Sequence, residues 1–70
     1  MIRPLTQKEF ADAMRKGRKK KPWSADDLAR EAGISPAMVS LLEAEKRTGS
    51  AVVRDKIAKA LGFNQFKSYW

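Results

Sequence analysis

From Trp23 to Glu43 the chain spells two short amphipathic helices around a single glycine, each opened by its own serine. Ser24 sits where an N-cap is needed, with Asp27 at the third helical position to answer it, while Trp23 and Leu28 bracket the cap as a hydrophobic staple. Leu28, Ala29 and Ala32 then share one face, and Gly33 supplies the left-handed stop. Ser35 opens the next helix. Pro36 takes its first position, where a missing N–H costs nothing, and Ile34 and Val39 form the staple. With each cap stabilising by about 1 kcal/mol, the pattern permits little besides two helices joined by a tight turn.

The same grammar flanks this unit. Thr6 with Glu9 fits a capping box and Leu5 with Phe10 a staple, so a helix is expected over 7–21, with Phe10, Ala13, Met14 and Gly17 on one face. The run Arg18-Lys-Lys-Lys21 suits the negative end of that helix, and Pro22 ends it. The helix after Gly33 is expected over 36–46, burying Val39 and Leu42. Ser50 caps a fourth over 51–61, with Val53, Ile57 and Leu61 inward and Gly62 as its stop. Arg54, Lys56 and Lys59, with Asp55, read as a solvated face. Phe63, Phe66 and Trp70 have helical spacing, consistent with a short C-terminal turn over 64–70, in which Phe66, Tyr69 and Trp70 either cover the core or form half of a dimer interface. The expectation is one all-α domain over 1–70, a compact bundle of four or five helices.

Seventy residues bury only about 60% of the surface exposed when unfolded, so the core must be compact. With no cysteine and no histidine, disulfides, Cys/His zinc sites and a histidine general base are excluded. No apolar run approaches the ~18 residues of a membrane span, and the start lacks the apolar stretch of a secretory signal, so a soluble, cytoplasmic protein is expected. Residues 1–23 carry eight Lys/Arg against two acids, residues 24–45 one against five, and residues 46–70 six against one. Two basic blocks flank an acidic middle, and the net charge of +7 points to a polyanionic partner.

Between Phe10 and Phe63 the chain resembles the lambda-repressor-like, Cro/C1-type helix-turn-helix family. The resemblance is carried by Leu28-Ala29, Ala32-Gly33-Ile34-Ser35, Val39-Ser40, Leu42-Glu43, Lys46 and Ile57-Ala-Lys-Ala-Leu-Gly62. It implies a helical bundle whose third helix enters the major groove of DNA while the start of the second meets a phosphate. It also implies a structural ion pair between Arg18 and Glu43. By position, Pro36, Ala37, Met38, Ser40, Leu41 and Ala44 would face the bases, and Lys19, Lys20, Lys21, Ser24, Ala25, Ser35, Lys46, Arg47 and Thr48 the phosphates. The implied function is transcriptional regulation as a homodimer on double-stranded DNA, in the manner of a small phage or mobile-element repressor that acts by occupying its site.

The chain departs from its relatives on the base-facing side. Members of the family usually carry Gln, Arg, Asn, Ser or Thr there, and often Gln at the position of Ala25, whereas here only Ser40 and the caps are polar. Three accounts fit. Ala37, Met38 and Leu41 pack on thymine methyl groups; or the domain binds chiefly through phosphates with low specificity; or the apolar stripe docks a protein, such as RNA polymerase, a repressor or a toxin, as an anti-repressor or antitoxin-like module would. An enzyme is not expected: the serines stand without histidine, and no phosphate-binding glycine loop, metal spacing or cofactor motif occurs.

Overall fold

The computed structural model describes residues 1–68. Its order is β1 (Ile2–Pro4), α1 (Gln7–Lys20), α2 (Ala25–Ala32), α3 (Pro36–Glu43), α4 (Ala51–Leu61) and β2 (Phe66–Ser68). Every helix starts on a hydroxyl. Thr6, Ser24, Ser35 and Ser50 accept the N–H of Glu9, Asp27, Met38 and Val53 at 3.1–3.2 Å, and the first two caps are completed as boxes by the carboxylates of Glu9 and Asp27. Gly33 and Gly62 end α2 and α4 in the left-handed conformation.

α2 packs on α3 and α4, and α1 packs on the same two. Phe10, Met14, Leu28, Val39, Leu42 and Ile57 are fully buried at their meeting point. At about 1.5–3 kcal/mol for each such side chain, this cluster outweighs four caps at about 1 kcal/mol each. Packing therefore holds the bundle, and the caps set where its helices begin. The staple residues Leu5, Trp23 and Ile34 lie half-buried against the core. Gly17 lets α1 and α4 touch: a Cβ built there would lie 2.9 Å from Leu61 Cβ.

Four expectations are corrected. α3 ends at Glu43, not at 46, because Ala44–Lys46 close it with a Schellman turn: Lys46 N–H donates to Leu41 O (2.9 Å) and Glu45 N–H to Leu42 O (3.2 Å), with Glu45 itself left-handed at φ 59°. α1 stops one residue early, Lys21 being its cap. In place of a C-terminal helical turn, Phe66–Ser68 pairs antiparallel with Ile2–Pro4, with Ile2 opposite Ser68 and Pro4 opposite Phe66. Phe66 remains 45% exposed on that ribbon, so it does not cover the core; Tyr69 and Trp70, its companions in that expectation, lie outside the described residues.

The fourth correction is Arg54, which is 5% exposed, not solvated. It lies one turn before Ile57 and Ala58 on the inward face of α4. Its Nη2 donates to Leu5 O, and its guanidinium carbon sits 4.5 Å from the centroid of the Phe10 ring. Nε is buried without a hydrogen-bond partner among the described residues. Nearby, Leu5 N–H donates to Gln65 O (2.8 Å), which continues the pairing of the ribbon, and Gln65 Nε2 donates to Ala51 O (3.4 Å), which ties it to α4.

Candidate nucleic-acid interface

The roll of α3 about its axis decides what the domain can present. Val39 and Leu42 are buried beneath it, which turns Pro36, Ala37, Ser40 and, at its cap, Ala44 into solvent. Leu41 is half-buried beside them. Met38, also half-buried, packs against the core, so it offers only a flank to a ligand. The helix carries one charged side chain, Glu43.

That charge is already committed. Arg18 Nε and Nη2 both donate to Glu43 Oε1, at 3.1 and 2.9 Å, and Arg18 Nη1 donates to Trp23 O at 3.3 Å. One guanidinium thus joins the end of α1, the start of α2 and the end of α3. Two further side chains of α1 complete the clamp: Arg15 Nη2 donates to Glu43 O, and Gln7 Nε2 to Glu45 O at 2.6 Å. Carbonyls at the end of α3 lack helical donors and carry the negative end of its dipole, which is why cations and an amide gather there. Sequence reasoning found Arg18 alone. Gln7 and Arg15 carried no such signal, since the carbonyls they meet belong to residues 38 and 28 positions further along the chain.

Basic groups not spent on this clamp border it. Lys19, Lys20 and Lys21 are exposed at the end of α1, with the Lys21 ammonium 5.2 Å from the Trp23 ring centroid. Lys46, Arg47 and Thr48 are exposed immediately after α3. A cleft of about 350 Å³ lies among Arg15, Arg18, Lys19, Pro22 and Trp23. Both guanidiniums in it are already hydrogen-bonded, which leaves Lys19 as its available cation.

At the start of α2, Ser24 Oγ accepts from Asp27 N–H. The Ala25 side chain packs inward, half-buried against the core, so only its backbone can meet a phosphate. Ser35 is exposed and serves α3 in the way Ser24 serves α2. The Asp27 carboxyl is held below its usual range, first by the Ser24 N–H and then by the Ser24 hydroxyl. Its negative charge belongs to the cap and to the positive end of the dipole. No cluster of metal-binding side chains occurs among the described residues, and no helix there is long and apolar enough to cross a membrane.

Two capped helices around a left-handed glycine, the second clamped so that its outer face stands free, define a helix-turn-helix domain. Residues 14–64 match the family model described as helix-turn-helix, and the chain belongs to this Cro/C1-type family of DNA-binding regulators. No match was found among curated proteins or solved structures.

Proposed function

We propose that the domain is a sequence-specific transcriptional regulator that lays α3 in the major groove of double-stranded DNA. It acts as a homodimer in the cytoplasm and represses by occupying its site, in the manner of small phage or mobile-element repressors. The observation that carries this reading is the orientation of α3: Val39 and Leu42 are hidden, Ala37, Ser40 and Ala44 are presented to solvent, and exposed basic segments lie at the end of α1 and immediately after α3. Lys19–Lys21 and Lys46–Thr48, with the starts of α2 and α3, supply the phosphate contacts that set register, and the α3 face supplies the choice of sequence.

Duplex binding measured against salt tests it. Neutralising several phosphates gives a steep fall of log affinity with log salt, about 0.9 for each phosphate. Selection from a random pool should return a palindrome with half-sites about 34–36 Å apart. Leu41→Glu and the joint replacement of Lys19, Lys20 and Lys21 by Ala should each weaken binding. A flat salt dependence, or no binding to any duplex, would overturn the reading and favour a protein partner on the same apolar face.

A further inference from the structure

The hydrogen-bonding capacity of α3 is nearly nil on the side turned outward. Bidentate readout of guanine needs Arg or Lys, and that of adenine needs Asn or Gln. None of these lies between Pro36 and Ala44. The only carboxylate, Glu43, is held by Arg18, and the only hydroxyl within the helix is that of Ser40. Pro36, Ala37, Leu41 and Ala44 present carbon alone. Of the groups that base pairs display in the major groove, one can be distinguished by carbon contacts: the methyl on C5 of a pyrimidine.

The dimensions agree. Ala37, Ser40, Leu41 and Ala44 follow one line along the helix, and at 1.5 Å per residue Ala37 and Ala44 stand about 10 Å apart. That is about three base-pair steps of 3.4 Å. Alanine and serine let the backbone approach the base edges closely, and Leu41 supplies the one larger apolar surface. The exposed Lys19–Lys21, which follow Arg18 where it grips the end of α3, and Lys46–Arg47, which follow α3 itself, match a polyanion, not an apolar protein groove.

We infer that α3 reads the pattern of C5 methyl groups in its operator, so that thymine and 5-methylcytosine are equivalent to it and uracil and cytosine are not. This rests on the DNA reading above and goes beyond it by naming what is recognised. Operator positions under α3 are then specified by where methyls stand, with Ser40 adding the one polar contact.

The test uses the intact chain and alters only the DNA. The tightest duplex from a random pool is remade with uracil for thymine, which removes the methyls and leaves every hydrogen-bonding edge in place. Affinity should fall about fourfold for each methyl contacted, the equivalent of ~0.8 kcal/mol, with the salt slope unchanged. Changing a contacted T·A pair to C·G should weaken binding, and C5 methylation of that cytosine should restore the affinity of the thymine duplex. Equal affinity for the thymine and uracil duplexes, or no recovery on methylation, overturns the methyl inference while leaving DNA recognition intact. Failure of every duplex to bind with a steep salt slope overturns the DNA reading itself.

Discussion

Arg18 grips a single oxygen of Glu43 with two of its nitrogens, and the same guanidinium reaches the carbonyl of Trp23. The pair is partly shielded, the Glu43 side chain being 13% exposed, so its loss should exceed that of a surface ion pair, which contributes ~0–1 kcal/mol. It should fall short of a fully buried pair broken on one side, which costs ~3–5 kcal/mol. Glu43→Gln should destabilise the fold by about 1–2 kcal/mol, lowering Tm by about 4–8 °C for each kcal/mol. An unchanged melting temperature would show that the clamp carries no weight.

Glu45 occupies the left-handed position of the turn that closes α3, a conformation that glycine adopts freely and a residue with a Cβ does not. Its carbonyl accepts from Gln7, a bond that survives any change of side chain. Glu45→Gly should therefore stabilise the protein by about 0.5–1 kcal/mol, part of the strain relief being offset by the greater freedom of glycine in the unfolded chain. Thermal denaturation would read this as a rise in Tm.

Gly17 poses the opposite case. Alanine is favoured over glycine within a helix by about 1 kcal/mol, yet here the added carbon would lie 2.9 Å from Leu61 Cβ, an atom that rotation of the side chain cannot move away. Overpacking of this kind costs ~1–3 kcal/mol. Gly17→Ala should be net destabilising by about 1 kcal/mol, visible as a lower midpoint in urea; a raised midpoint would mean that α1 and α4 are not in such close contact.

Glu9 links pH to stability. The Thr6 N–H, and then the Lys67 ammonium, hold its carboxyl well below the ordinary value of 4.5, down to about 2. A carboxylate more acidic in the folded chain stabilises fully above its unfolded value and loses that effect as the pH falls through its folded one. Stability should decline between about pH 4.5 and 2, and Asp27, shifted in the same direction, should contribute at the lower end. Melting curves of Glu9→Gln should lie below those of the parent at pH 7 and converge with them towards pH 2.

Much of this architecture was legible because its signals are local. A serine, an acid at the third position and an apolar pair around the cap lie within a few residues of one another, and they locate the start of each helix. The spacing of Val39 and Leu42 likewise set the roll of α3. The end of α3 was misread because its left-handed position is held by a glutamate and not by glycine. Arg54 had the right spacing, in line with Ile57, Ala58 and Leu61, but its charge argued for solvent; the Phe10 ring and the Leu5 carbonyl that receive it come from the other end of the chain. The ribbon carried no local signal, since three residues show no alternation and their partners lie at the far end of the sequence.

That distance has a kinetic side. Ile2 meets Ser68 across nearly the full described length, so the ribbon closes the costliest loop in the domain for a very small gain in buried surface. The four helices can assemble without it and then bring Leu5 to Gln65, after which pairing is almost free of entropic cost. Amide protons of the ribbon should consequently exchange with solvent through local fraying, while those behind Met14, Leu42 and Ile57 wait for the whole domain to open.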